Sequence, residues 1–117
     1  MTRNNRRIVR IMDLNNRPDV LNAYEVAHQR GNTPAEVLNA QRRHGIEELE
    51  IYRAGDRLVM IMEVTEAYDP AALDAETGRS PQIAAWHKRM GELQRFPFTD
   101  RVHWPEAHLV FRQTEHD

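Results

Sequence analysis

Apolar and polar positions change period several times along this chain, and those changes divide it into elements. Residues 7–13 are a short β-branched run around Ile8, Val9 and Ile11, ended by the turn-forming Asn15, Asn16 and Pro18, and they predict a first strand. From Pro18 the apolar positions fall on one helical stripe, with Val20, Leu21, Tyr24 and His28 together and Gly31-Asn32 as the stop. A second helix is expected from Thr33 as N-cap and Pro34 in the first turn, through Val37 and Leu38, to His44 before Gly45.

Two strands follow, over 46–53 and 57–65, joined across Ala54, Gly55 and Asp56 as a hairpin. Val59 to Met62 is apolar at every position, which predicts a central strand buried on both sides. Residues 66–79 contain Pro70 and Gly78 and read as an irregular or short-helical connection. Ser80-Pro81 opens a further helix to Arg95, with Ile83, Trp86, Met90 and Leu93 at three- and four-residue spacings. A last strand is expected over 107–113, where Leu109 and Phe111 alternate with His108, Val110 and Arg112.

The order strand, helices, hairpin, helix, strand predicts an α+β fold of the ferredoxin-like split βαβ type. Helices should cover one face of a four-stranded antiparallel sheet. A sheet that small cannot close alone, so its bare face is expected to pack on a second copy, giving a homodimer and a dimeric α+β barrel. At 117 residues the chain is expected to form a single domain over 1–117.

Composition narrows the function classes. Hydrophobic residues at 40% and charged residues at 29% are a globular balance. The chain has no cysteine, which removes disulfides, thiolate metal sites and thiol nucleophiles. Met1 to Arg7 is polar and no apolar run reaches about 20 residues, so neither a secretory signal nor a membrane span is expected and a cytoplasmic location is the default. A net charge of −2 withholds the electrostatic attraction that nucleic-acid binding usually needs. Arg3, Arg6, Arg7 and Arg10 read as a solvated tail leading into the first strand, since no aromatic is interleaved for base stacking.

The chemistry-bearing residues lie on two helices. Tyr24 and His28 are four apart on one helix face, so a phenol and an imidazole can converge on one small ligand. Trp86 offers a stacking plane, and His87 beside it adds a second imidazole about 100° around the helix. His44, at a helix end, suits a favourable C-terminal charge. His103, His108 and His116 match no common zinc spacing, so no metal site is expected.

With Gly45 to Tyr52 and Trp104 to Phe111, the segments Tyr24 to His28 and Trp86 to Met90 make this chain resemble the L-rhamnose mutarotase family. The resemblance covers most of the chain and implies the dimeric α+β barrel, a monosaccharide substrate and no cofactor. It also implies that His28 is the proton donor and that Tyr24 contacts the sugar. Three positions depart from the family pattern. Where the family has a Trp-Trp pair this chain has Trp86-His87, a sugar-contacting tyrosine is replaced by Leu49, and a Trp-Pro is replaced by Thr33-Pro34. Tyr24, His28, Trp86, His87 and Leu49 are therefore the expected site, lying between the helices and their own sheet, with a 6-deoxy-L-sugar such as L-rhamnose or L-fucose as substrate. Two other classes fit the same fold. A cofactor-independent monooxygenase would need an apolar pocket for a flat aromatic substrate, and a non-catalytic ligand-binding module would leave Tyr24 and His28 in solvent.

Overall fold

Alternation in two strands sets the frame of the molecule. In the computed structural model, which describes residues 5–98 and 103–116, β1 (Arg6–Leu14) pairs antiparallel along its length with β3 (Arg57–Val64). Side chains alternate across a strand, so the even-numbered positions of both share one face. Ile8, Met12, Leu14, Leu58, Met62 and Val64 are buried there. The odd-numbered Val9, Ile11, Val59 and Ile61 lie on the other face and are only half-buried. β3 is central, and within one copy only its even-numbered side is covered.

β2 (Ile46–Ala54) pairs with β3 through a bulge at Ile46/Glu48 and joins it by a tight turn in which Gly55 takes a φ of +61°. The sheet order is β2-β3-β1-β4, the split βαβ arrangement that the element order requires. The fourth strand position is shared. β4 (Gln94–Arg95) pairs with Asp13 and Leu14, and β5 (Glu106–Ala107) pairs with Val9 and Arg10 on β1.

The long last strand expected over 107–113 does not form. Beyond Ala107 the chain leaves the sheet, and residues 113–116 make one 3₁₀ turn. Leu109, Val110 and Phe111 are 59%, 86% and 66% exposed. β4 and β5 pair only with Asp13, Leu14, Val9 and Arg10, so the chain leaves β1 before reaching its Arg6–Ile8 end.

Helices α1 (Pro18–Ala27), α2 (Ala35–Arg43), α3 (Pro70–Arg79) and α4 (Pro81–Leu93) pack on the even-numbered face. Val20, Tyr24, Val37, Ile83, Trp86 and Met90 meet Met12, Leu14 and Leu58 in the main core. Of the irregular and short-helical readings of 66–79, the structure has the helix: α3 is ten residues long. Its start is strongly marked: Asp69 accepts from the amides of Ala71 and Ala72 at 3.0 and 3.3 Å, and Pro70 occupies the first turn, where its missing amide costs nothing. Thr33 does not cap α2. Its hydroxyl donates instead to the Ala27 carbonyl at 3.3 Å, tying the end of α1 to the start of α2.

Gly45 ends α2 at a φ of +91°, and a Cβ there would stand 2.6 Å from the Tyr68 amide nitrogen. The position needs glycine twice over. Among the described residues, no helix is long and apolar enough to cross a membrane.

Candidate functional site

Helices α2, α3 and α4 stand off the sheet over β1, β2 and β3 and leave a cavity of about 430 Å³. Its floor is apolar, formed by Met12, Leu49, Met60 and Met62. Polar groups gather on its walls and rim: Arg10, Gln41, Asp74, His87, Gln94 and His103. A small ligand with one apolar and several hydroxyl-bearing faces suits such a division.

Arg10 does not belong to a solvated tail. It lies among the even-numbered, inward positions of β1, and its side chain is 19% exposed. Its guanidinium donates to the Trp104 carbonyl at 3.1 Å and approaches Glu106 at 3.9 Å. Together with the Ile11 amide, which donates to the Pro105 carbonyl at 2.9 Å, these contacts lay residues 103–107 beside the cavity as a strap. Arg6 and Arg7 are exposed, as a solvated segment requires, while Arg3 lies outside the described residues.

The five residues expected at the site fall into two adjoining groups. Leu49 and His87 line the cavity. Tyr24, His28 and Trp86 form a packed aromatic cluster behind it. The Tyr24 and His28 rings are 4.2 Å apart, a consequence of their four-residue helical spacing, and His28 meets the edge of Trp86 at 5.1 Å. Trp86 also walls an open groove with Pro34, Glu36 and Arg89 on the outer side of the helices. The link between the groups is Gln94, which hydrogen-bonds the Tyr24 hydroxyl and also lines the cavity.

Burial governs the electrostatics of the cluster. Tyr24 is 4% exposed, and loss of solvent pushes its phenol far above the ordinary value, so it stays protonated. Burial likewise lowers His28 below its usual 6.5; the hydrogen bond to the Tyr24 backbone opposes this and the nearby Arg89 charge adds to it. That bond is 2.7 Å from Nδ1 to the Tyr24 carbonyl, so Nδ1 carries a proton and exchange with a ligand falls to Nε2. His87 sits exposed at the cavity rim, where partial desolvation lowers it and the charge of Asp74 pulls the other way. An imidazole poised at or below neutrality can both accept and return a proton.

Four groups that sequence reasoning did not single out for the site complete it: Arg10, Asp74, Gln94 and His103. Arg10 carried a legible signal, a charge at an inward position between Ile8 and Met12. His103 donates from Nε2 to Asp74 at 2.8 Å across 29 residues, a pairing with no local signature. His44 does more than complement a helix end. Together with Arg43 it binds Glu76, at 2.8 Å from its own Nε2, and so joins α2 to α3. Among the described residues, no three His, Asp or Glu side chains converge as a set that could hold a metal ion.

Residues 7–113 match the model of a family described as L-rhamnose mutarotase. An L-fucose mutarotase of Xanthomonas campestris pv. campestris is 38% identical over 111 residues, covering 93% of this chain and 89% of that protein. Among solved structures, an L-rhamnose mutarotase from Formosa agariphila superimposes with a TM-score of 0.62 at 18% identity, over 92% of this chain and 99% of that one. Tetracenomycin F2 cyclase from Streptomyces glaucescens, a type-II polyketide cyclase, gives the same TM-score at 14% identity, over 92% and 95% of the two chains. At those identities the two structures speak for the shared fold alone.

Proposed function

The chain belongs to the L-rhamnose mutarotase family, a family of isomerases, and we propose that it interconverts the α and β anomers of a 6-deoxy-L-sugar by imidazole-mediated opening and closing of the ring. The observation that carries this reading is the 38% identity to an L-fucose mutarotase over nearly the whole chain.

The sugar occupies the cavity with its C6 methyl toward Leu49, Met60 and Met62 and its hydroxyls toward the polar rim. The family resemblance makes His28 the proton donor for the ring oxygen; its ring packs behind the residues that line the cavity, so the reading requires a path from Nε2 through that wall. As an imidazolium it holds Nδ1–H on the Tyr24 carbonyl and presents Nε2–H; once Nε2 has given its proton, the same atom takes it back when the ring closes on the other face of C1. Tyr24, kept protonated by burial, acts through Gln94 on the cavity wall, and Trp86 packs against His28 and limits its movement. Positioned acid/base catalysis of this kind is typically worth roughly 10²–10⁴ in rate.

Leu49 and His87 stand where the family pattern has aromatic groups, and L-fucose and L-rhamnose differ in configuration at C2 and C4. L-fucose is therefore expected to exchange at least as fast as L-rhamnose. Saturation-transfer NMR on the C1 protons of both sugars tests this, and a rate clearly highest with L-rhamnose would count against the specificity argument.

We also read residues 1–117 as one domain working as a homodimer. Leu73 packs against both core clusters, which supports a single domain. Half-buried Val9, Ile11, Val59 and Ile61, exposed Tyr52, and the apolar tail at Leu109 to Phe111 support a second copy on the helix-free face. Light scattering at micromolar concentration should give twice the chain mass; a monomer would remove the dimer from this reading.

A further inference from the structure

Three titratable side chains from three separate segments line the same cavity, two of them in contact with each other. Asp74 comes from α3, His87 from α4, and His103 from the strap that precedes β5. Asp74 is the one carboxylate among the described residues lining the cavity. It accepts from His103 Nε2 at 2.8 Å, and its negative charge acts on His87 against the desolvation of that ring. Both Asp74 and His103 are about half-exposed, at 56% and 55%, so the pair stands where the cavity meets solvent.

We propose that Asp74 is a positioning residue for His87, that His87 takes the proton of the anomeric hydroxyl, and that His103 anchors Asp74 and holds the strap across the rim. The proposal rests on the mutarotase reading and supplies its missing half. When the ring opens, the O1–H bond breaks and its proton passes to a His87 ring nitrogen. The electron pair left on O1 forms the C1=O1 double bond, the C1–O5 bond breaks, and O5 takes the proton from His28 Nε2. Closure on the opposite face of C1 returns both protons, so no other reactant is consumed. A carboxylate charge near an imidazole favours its protonated form, which is what a base accepting a proton at neutral pH requires. The other charged or titratable groups that face this corner are Arg10 on β1 and Tyr68 ahead of α3, while α2, β2 and β3 present Gln41, Leu49 and Met60.

The test is a titration of the imidazole resonances of the full chain by NMR, in parallel with the pH profile of anomer exchange, for the unaltered protein, Asp74→Asn and Asp74→Glu. In Asp74→Asn the midpoint of His87 should move to lower pH. Exchange at neutral pH should fall roughly tenfold, the size expected from removing one partly screened charge from the same cavity. The acid limb of the rate profile should move with the His87 midpoint, and Asp74→Glu should restore both. An unmoved His87 midpoint would overturn the pairing, and a moved midpoint with an unchanged rate profile would overturn its part in the exchange. Absence of exchange in the unaltered protein would sink the mutarotase reading and this role together, whereas exchange that is indifferent to Asp74 would sink this role alone.

Discussion

His28 meets Trp86 edge to face across α1 and α4, with ring centroids 5.1 Å apart and planes inclined at 67°. The imidazole is thereby part of the helix packing, and its charge state is coupled to stability. Burial lowers both His28 and His87 in the folded chain below the 6.5 that an unfolded chain keeps. Between the unfolded and folded values the unfolded state binds more protons, so the stabilisation is full above 6.5 and is lost as pH falls through the lower folded values. The thermal midpoint should therefore decline on acidification below 6.5, and His28→Gln should flatten that decline. A midpoint that stays level down to about pH 5 in the unaltered protein would contradict the coupling.

Asp13 governs a second, more acidic step. It is 5% exposed on β1 and is bonded by Arg57 at 2.8 and 3.2 Å, with Arg95 at 3.7 Å. Arg95 also reaches Asp56 at 3.0 Å, so one network ties β1, the hairpin and β4 together. The bond from Arg57 holds the Asp13 carboxyl below its ordinary 3.8, outweighing burial, and the two arginine charges add to the effect. Its stabilisation is full above 3.8 and is lost as pH falls through the lower folded value. Asp13→Asn should cost about 1–3 kcal/mol, since it weakens charge-assisted bonds at a buried position. Chemical denaturation measures this, and a change under about 0.5 kcal/mol would show that the network contributes little.

Gly45→Ala should destabilise the protein by about 1–3 kcal/mol, through a left-handed backbone and a Cβ pressed on the Tyr68 backbone. Gly55→Ala is strained by its φ of +61° but meets no atom within 4 Å, so it should cost less. Denaturation midpoints in the reverse order would show that the approach of residues 67–68 to Gly45 does not constrain this corner.

Much of this was legible from local pattern. Alternation in β1 and β3, the Gly55 turn and the apolar stripes of α1 and α4 each rest on residues close in sequence, and the four-residue spacing of Tyr24 and His28 placed their rings together. Pro70 and Gly78 left 66–79 open between an irregular and a short-helical reading because Asp69-Pro70 is equally the start of a helix, and Gly78 is tolerated on an exposed turn of α3. Residues 107–113 have the alternation of a strand, but alternation says nothing about whether the chain stays beside the sheet. The rim of the cavity was hidden for a related reason. Asp74, His103 and Gln94 gain their roles from partners far along the chain, and Gln94 acquires its place only because β4 docks beside Leu14.

The most direct measurement is the rate of exchange between α and β anomers of equilibrated L-fucose, followed by saturation transfer at the C1 protons with the unaltered protein and with His28→Ala. The unaltered protein should accelerate exchange well above the uncatalysed rate, and His28→Ala should lower the catalysed rate by roughly 10²–10⁴. Because removing the His28 ring also removes its packing on Tyr24 and Trp86, circular dichroism and the thermal midpoint must show that the variant is still folded at the assay temperature. A folded His28→Ala protein that exchanges the anomers at the unaltered rate would contradict the assignment of the proton to His28.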